Sequence, residues 1–368
     1  MNRRRYLAGT FIYIIACSAL SSCEVPEEVF PTEPPEPALP VVKDKGTRGL
    51  SIVGSTIDLP GIEDIEASIQ AGANEGQIVL DWEKLDDGGN IRYDLLDTAI
   101  NAYADNNLPL TLVFNPISRN RVSVPADLAD KAWSDETLRT RFDALLYGIY
   151  YRYPTVNVNR VIIGEEVDIY LKEDAAAWDA YTAFFTFAKD KLHSYYGNSV
   201  KAGVSTSFAS LNLLETKDLA MNLQREADMF SISYFPRNRD YTFRNIIHIV
   251  RDFEYMKAIS GSRKIFLQEC GYPSAISCNS SVELQRQFIA EIFRGWDMYD
   301  NTFEGIHFTW LRDKSDAEVA RILEESGMIE SVYLSRFTDF LRTSGLQRTS
   351  TQKPAIQQLK VEADARGW

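Results

Sequence analysis

Histidine and cysteine are scarce in this sequence, and their spacing matches no common metal site. The 368 residues contain three histidines and four cysteines. His193, His248 and His307 lie far apart along the chain, and no cysteine stands at the spacing that zinc ligands need. We therefore expect no metal centre, and no residue pattern indicates another cofactor.

Positive charge is also in short supply. The sequence has 39 lysines and arginines against 52 aspartates and glutamates, a formal net charge of -13 at pH 7. Proteins that bind nucleic acid meet its phosphates with patches of lysine and arginine, so this balance argues against a nucleic-acid partner. It favours a neutral or cationic ligand. Hydrophobic residues make up 45% of the chain, which is ample for the core of a soluble globular protein.

An apolar run of membrane-spanning length is missing. Three arginines at 3–5 precede an apolar stretch at 6–20, which is short and interrupted, as in a secretion signal. Leu20-Ser-Ser-Cys23 is similar to the bacterial lipobox, whose cysteine becomes the lipid-bearing first residue; Cys17 is a weaker candidate, and a plain signal peptide is the alternative. We expect a signal peptide at 1–22 and a lipidated Cys23. This lipid would anchor the protein in the bacterial cell envelope without spanning the membrane.

Proline and glutamate dominate the next segment. Residues 31–37 read Pro-Thr-Glu-Pro-Pro-Glu-Pro, a composition that favours an extended tether, so we assign 23–46 to a tether and 47–368 to one folded domain. Cys270 and Cys278 lie within that domain. An exported protein meets oxidising conditions, so a disulfide between them and two free thiols are both open.

From residue 48 onward, short apolar runs alternate with segments of helical period. Eight such units predict an α/β fold of the (β/α)8 barrel type. An open doubly wound sheet is the alternative, but no glycine-rich phosphate loop follows the first strand. The predicted strands are 49–53, 77–81, 110–114, 160–166, 200–205, 229–234, 264–269 and 303–310. The predicted helices are 62–71, 93–105, 134–151, 178–195, 214–225, 243–259, 281–299 and 331–341.

The ends of these strands are rich in carboxylates and aromatic side chains. In a (β/α)8 barrel the reacting groups lie at the carboxyl ends of the strands. Glu165 and Glu166 end the fourth strand and Glu269 ends the seventh. Glycoside hydrolysis needs such a pair, because one carboxyl group protonates the leaving oxygen while the other attacks the anomeric carbon or activates water. Further candidates for sugar contact at strand ends are Asp81, Trp82, Asn115, Tyr234, Trp310 and Arg312.

Several of these motifs resemble one group of enzymes. Ile-Gly-Glu-Glu at 163–166 and Phe-Leu-Gln-Glu-Cys-Gly-Tyr-Pro at 266–273 are similar to the strand-four and strand-seven motifs of retaining (β/α)8 glycoside hydrolases. Ser-Tyr-Phe-Pro at 233–236 is similar to the strand-six motif of the endo-β-1,4-galactanase branch. The resemblance implies Glu166 as general acid/base and Glu269 as nucleophile. It also implies a hydrogen bond from Tyr234 to the nucleophile and a sugar stacked on Trp310.

Two positions depart from the motifs of this group. Glu165 stands where the group has an asparagine that contacts the sugar 2-hydroxyl, and the arginine near the end of strand two is replaced by Asp81-Trp82. Arg312, Arg237 and Arg119 are the candidates to substitute for that arginine. A neighbouring charge such as Glu165 would raise the pKa of Glu166 and keep it protonated, as a general acid requires.

The favoured hypothesis is an exported, lipid-anchored, metal-independent retaining glycoside hydrolase that acts on a β-linked poly- or oligosaccharide. The competing hypothesis is a catalytically inactive glycan-binding lipoprotein on the same barrel, which the two departures motivate. A barrel enzyme of other chemistry, such as a lyase, is a third reading. Carbohydrate is the expected partner in the first two.

Overall fold

Eight parallel strands form the centre of this protein in a computed structural model, which describes residues 43–54, 59–326, 331–348 and 351–368. The predicted signal peptide, the predicted lipidation site Cys23 and most of the predicted tether lie outside the described residues. The first four strands are β1 (Gly49–Val53), β2 (Gly76–Asp81), β3 (Leu110–Ser118) and β4 (Val158–Glu165). The others are β5 (Lys201–Gly203 and Ser205–Ser207, interrupted at 204), β6 (Phe230–Tyr234), β7 (Ile265–Cys270) and β8 (Phe303–Thr309).

The strands pair in sequence order. One run of parallel pairs joins β2, β3, β4 and the first part of β5, and a second joins the rest of β5 to β6, β7, β8 and β1. The amides of Asn74 and Glu75 donate to the Leu50 carbonyl at 2.9 and 3.3 Å, which links the start of β2 to β1. Sequential parallel neighbours joined by helices are the arrangement of a (β/α)8 barrel, so the predicted fold is confirmed.

Helices follow the strands and cover the outside of the sheet. They are α1 (Ile62–Gln70), α2 (Asp97–Asp105), α3 (Glu136–Arg152), α4 (Ala175–Tyr196), α5 (Leu214–Arg225), α6 (Ile249–Ser260), α7 (Val282–Met298), α8 (Asp316–Ser326), α9 (Leu334–Thr343) and α10 (Pro354–Asp364). Side chains of Asp135, Asp174 and Ser281 accept hydrogen bonds from the first free amides of α3, α4 and α7. Such caps satisfy donors that have no partner within the helix, and they set where each helix begins.

The last part of the chain departs from the prediction. The final helix was expected at 331–341, whereas α9 spans Leu334–Thr343 and two further helices, α8 and α10, flank it. In α10, Ala355, Ile356 and Leu359 are buried and provide an apolar face. These helices matter for function because α8 and α9 reach the carboxyl ends of the strands.

A buried ionic cluster closes the amino-terminal end of the barrel. The Arg160 guanidinium donates to the Glu75 carboxylate at 2.8 and 2.9 Å, and His307 Nε2 lies 2.7 Å from the same carboxylate. Burial opposes ionisation of Glu75, but Arg160 and His307 more than offset it and lower its pKa to about 2. Val113, Ile162, Met229 and Phe266 fill the interior next to this cluster. The two ends of the barrel therefore carry different polar groups, and at the amino-terminal end the charges of Arg160 and Glu75 are paired with each other.

The possible disulfide is absent. Cys270 and Cys278 are both buried free thiols. Cys270 pairs with Tyr234 and Phe308 inside the sheet, whereas the Cys278 thiol donates to the Arg336 carbonyl at 3.5 Å. The two sulfurs thus belong to different layers of the fold.

Within the described ranges, no helix combines the length and apolarity that a membrane span requires.

Candidate active site

The end of β4 presents two adjacent carboxylates because of a tight backbone turn. Gly164 has φ +91°, and a Cβ there would collide with the Tyr181 hydroxyl, which donates to the Ile163 carbonyl at 3.0 Å. Only glycine fits this position. Glu166 itself has φ +45°, a left-handed conformation that is uncommon for a residue with a side chain. The turn separates the surroundings of the pair: Glu165 faces the barrel interior and Glu166 lines an open cleft.

Arg119 lies among three carboxylates. It follows β3, has φ +53°, and its amide donates to the Glu165 carbonyl at 2.8 Å. Its Nη2 contacts Glu165 at 2.9 Å and both oxygens of Glu269 at 3.1 and 3.3 Å. Its Nε lies 3.5 Å from Glu166. A single guanidinium group therefore contacts the carboxyl groups from strands four and seven, which the sequence predicted to converge.

Glu269 is fully buried at the end of β7. Burial raises the pKa of this carboxyl well above its usual range, and the neighbouring Glu165 raises it further, while Arg119 acts in the opposite direction. Two carboxylates in one buried pocket resist ionising together. Arg119 lines the cleft and covers this pair, so Glu269 lies deeper than Glu166. In this conformation the predicted nucleophile is paired with the guanidinium.

Glu166 has the properties of a general acid. Burial raises its pKa to about 7, with Arg119 opposing the rise and Asp168 and Glu165 adding to it. The predicted effect of Glu165 is therefore present, although burial is the larger cause. A carboxyl group with a pKa near neutrality is protonated often enough to donate its proton and basic enough to recover one. Asp168, which the sequence did not single out, is held by the Ser207 amide and hydroxyl at 2.7 and 2.6 Å.

The ends of β2 and β3 supply amide and carboxylate groups beside Glu165. The Asn115 amide nitrogen lies 3.2 Å from Glu165 Oε2 and 3.5 Å from Asp81 Oδ1. Asp81 lines the cleft and pairs with Lys84 at 2.7 Å and with Arg121 at 3.4 Å. Asp81, Asn115 and Glu165 thus come together as the strand-end positions predicted.

Aromatic side chains form much of the cleft wall. Trp310 follows β8 and packs against Phe340 of α9, with 6.0 Å between ring centroids, and it lines the cleft as predicted for a sugar platform. Helices α8 and α9 supply further parts of the wall, and the Asn120 side chain donates to the Ser326 carbonyl at 2.6 Å. The remaining apolar lining residues are Ile169, Phe235, Tyr241, Ile322, Phe337 and Leu341. All six lie outside the strands, in loops and helices whose place at the cleft depends on tertiary packing.

Two predicted sugar contacts are wrong. Trp82 is fully buried, packs against Phe142 with 4.9 Å between ring centroids, and donates to Asp86 at 3.2 Å, so it belongs to the core. Tyr234 is also fully buried, and its hydroxyl donates to Asp252 of α6 at 2.7 Å instead of to Glu269. Both side chains point into the layer between sheet and helices.

The three arginines predicted as candidates to substitute for the strand-two arginine lie in different surroundings. Arg312 forms an ion pair with Asp64 of α1 at 2.9 Å, and the cleft lining does not include it. Arg119 and Arg237 both line the cleft, and Arg119 alone of these candidates contacts Glu269. Among the described residues, no cluster of histidine, cysteine and acidic side chains is arranged to hold a metal ion.

Comparison with known proteins identifies the fold through structure alone. No family model matches the sequence, and no curated protein matches it either. A GH5_18 protein from Bifidobacterium longum subsp. longum superposes with a TM-score of 0.68 at 12% identity, covering 88% of this chain and 80% of that one. A GH5_18 protein from Streptomyces cattleya, in complex with Manb1-4GlcNAc, gives 0.65 at 13% identity over 86% and 80%. The Clostridium thermocellum endo-1,4-beta-D-xylanase 10B, complexed with xylohexaose, gives 0.60 at 10% identity over 89% and 69%. This chain therefore shares its barrel with proteins that bind β-linked sugars.

Proposed function

We propose that this protein is a glycoside hydrolase that cleaves a β-linked poly- or oligosaccharide with retention of configuration. The observation that carries the proposal is the pairing of Glu166, a cleft carboxyl with a pKa near 7, with Glu269 through one guanidinium group. Carboxyl groups on opposite sides of a sugar are what both classes of glycosidase need. The resemblance of the strand-four and strand-seven motifs supports retention over inversion.

The reaction would proceed in two displacements. Glu166 protonates the glycosidic oxygen while a Glu269 oxygen attacks the anomeric carbon, and the leaving sugar departs with that proton. Glu166, now ionised, then takes a proton from water, whose oxygen attacks the anomeric carbon and releases Glu269. Glu269 must be ionised to attack, and the Arg119 guanidinium favours its ionised form. Because Arg119 contacts both Glu269 oxygens, it has to release the attacking oxygen when the sugar enters.

Separate Glu166→Gln and Glu269→Gln variants test this function. The substrates are β-1,4-linked mannan, xylan and galactan oligosaccharides, since the structural neighbours and the strand-six motif point to such linkages. Each variant should lose at least about a hundredfold in kcat, a typical size for loss of a general acid. Glu215→Gln, an exposed carboxylate on α5, is the matched control. Parental rates in both active-site variants would refute the assignment.

A glycan-binding protein without catalysis is the second candidate. The contact of Arg119 with both Glu269 oxygens, at 3.1 and 3.3 Å, favours it, because the nucleophile is covered. In that case the parent protein would bind oligosaccharides and release no reducing ends over long incubation. Hydrolysis that depends on Glu269 would exclude this candidate.

We also propose that the protein is a lipoprotein of the bacterial cell envelope. The support is the sequence around Cys23, which follows a basic and then apolar segment and precedes a proline-rich tether. Changing Cys23→Ala should move the protein from the membrane fraction to the soluble fraction of expressing cells, with Cys17→Ala as the control. A Cys23→Ala protein that stays in membranes would refute this assignment.

A further inference from the structure

The cleft lining is richer in arginine than the acidic protein as a whole. Arg119, Arg121 and Arg237 line it together with three carboxylates, Asp81, Glu166 and Glu325, whereas the whole chain has a formal net charge of -13. At physiological ionic strength charges are screened over about 8 Å, so a ligand in the cleft responds mainly to the groups around it. The pairing of these three arginines therefore decides which ligand charge the cleft accepts.

Two of the three arginines are matched by carboxylates. Arg119 contacts Glu165 at 2.9 Å and Glu269 at 3.1 Å. Arg121 contacts Glu83 at 2.5 Å and Asp81 at 3.4 Å. These guanidinium groups are engaged by the protein itself.

Arg237 is different. Its guanidinium lies over the ring of Tyr241, 4.6 Å from the centroid, and in the described part of the chain no carboxylate forms an ion pair with it. Its charge still reaches Glu166 and Asp168, where it acts to lower the pKa of each carboxyl. Arg237 is thus a half-buried cation beside the predicted general acid, with donor groups that the protein leaves available.

The backbone holds Arg237 in this position. Residues 237 and 243 form an antiparallel bridge, and the Asn238 amide donates to the Thr242 carbonyl at 2.8 Å. Arg336 of α9 pairs with Asp240 in the same loop at 2.7 Å. This short loop is fixed at both of its ends by the bridge and in its middle by α9, and it keeps Tyr241 beneath the guanidinium. Such preorganisation reduces the entropy lost when the guanidinium binds a ligand.

We propose that Arg237 binds an anionic substituent of the sugar held beside Glu166, so that the substrate is an acidic β-linked glycan. A planar guanidinium forms paired hydrogen bonds with two oxygens of a carboxylate, and a sulfate ester presents the same geometry. The aromatic and aliphatic lining of the cleft lowers the local dielectric constant, which strengthens this contact. The inference rests on the proposed function, because it names the substrate class for the same site.

Binding of sulfur-linked glycosides tests this without requiring turnover. The probes are phenyl 1-thio-β-glycosides in matched sets: glucoside, glucuronide and 6-sulfated glucoside, and the corresponding galactose and mannose sets. Isothermal titration would be run on the full-length protein and on Arg237→Gln, Arg237→Lys and Arg239→Gln. Arg239 is the matched control, since it belongs to the same loop and has an exposed side chain that does not line the cleft.

In at least one set, the parent should bind an acidic member more tightly than the neutral member, by roughly tenfold to a hundredfold. Arg237→Gln should remove this difference, Arg237→Lys should retain part of it, and Arg239→Gln should leave it unchanged. Preference for the uronide or for the sulfated member identifies the anionic group. Equal binding of acidic and neutral members, absence of binding in every set, or a preference that survives Arg237→Gln would overturn the inference. If the preference for acidic glycosides depends on Arg237 but the protein does not hydrolyse oxygen-linked glycans, the proposed function is refuted and the inference about Arg237 stands.

Discussion

Replacing Glu166 with glutamine should stabilise this protein at alkaline pH while it lowers the proposed hydrolytic activity. The side chain is buried, and burial raises its pKa from 4.5 to about 7. Glutamine has nearly the same shape and cannot ionise. The substitution therefore removes the cost of placing a charge in the cleft wall. Among the described residues, the one ion pair that it gives up is the 3.5 Å contact with Arg119.

The sign follows from the two protonation equilibria. Below pH 4.5 Glu166 is protonated in both the folded and the unfolded chain, so its contribution to stability is fully present. Between pH 4.5 and about 7 the unfolded chain loses this proton and the folded protein retains it, so the free energy of unfolding falls as pH rises. Above about pH 7 the loss is complete. The interval between the two pKa values corresponds to about 3 kcal/mol.

Urea denaturation at pH 4.5 and pH 8.5 would measure this effect in the parent, Glu166→Gln and Glu215→Gln. The free energy of unfolding of Glu166→Gln should gain about 3 kcal/mol on the parent between the two pH values. Glu215→Gln should track the parent, because Glu215 is exposed. In the parent, hydrolysis should also fall about tenfold per pH unit above 7 as the acid ionises. If Glu166→Gln and the parent show the same pH dependence of stability, Glu166 is not a buried acid with a raised pKa.

Two further predictions concern the opposite end of the barrel and the thiols. Glu75→Gln should lower the free energy of unfolding by about 3 to 5 kcal/mol, because it leaves Arg160 buried without its main counter-charge. Glu304→Gln is the control, because it removes a more exposed partner of Arg160 at 3.3 Å and should cost less than about 1 kcal/mol. Equal losses of unfolding free energy in the two variants, measured by urea denaturation, would contradict this account. Burial raises the pKa of both Cys270 and Cys278, the latter to about 11, so native protein should resist iodoacetamide. After unfolding without reductant both should be alkylated, and a disulfide-linked 270–278 peptide in mass spectrometry would contradict the structure.

Side-chain direction at the strand ends is where prediction from sequence was weakest. Successive residues of a strand point to opposite faces, so one residue of register decides whether an aromatic ring meets the cleft or the helices. Trp82 begins a short helical turn after β2 that directs its ring towards Phe142. Tyr234, the last residue of β6, faces α6, where its hydroxyl donates a hydrogen bond to Asp252. Neither outcome is visible in composition or period.

The sequence left the Cys270–Cys278 disulfide open for a related reason. Cys270 and Cys278 are close in sequence, but the chain leaves the sheet at residue 271 and the two thiols enter different layers. The sequence separation of two cysteines sets the length of the loop that a disulfide would close. It does not set the direction in which the two side chains point. Helices α8 and α10 were not predicted. They follow the last strand, where the chain no longer alternates between strands and helices and the pattern gives no reason to expect two more helices.

By itself, the sequence determined the repeating pattern of eight strand and helix units and the placement of Glu165, Glu166 and Glu269 at strand ends. Hydrophobic period is a local property that predicts where each strand ends. In a barrel of sequential parallel strands all carboxyl ends lie on one rim, so residues at the predicted strand ends are placed on that rim. The tertiary structure alone decided that Arg119 lies among the three carboxylates and that burial more than Glu165 raises the pKa of Glu166. It also decided that three arginines meet in one cleft of an acidic protein. Burial and charge pairing depend on groups from several strands and helices, so they exist only once the chain is folded.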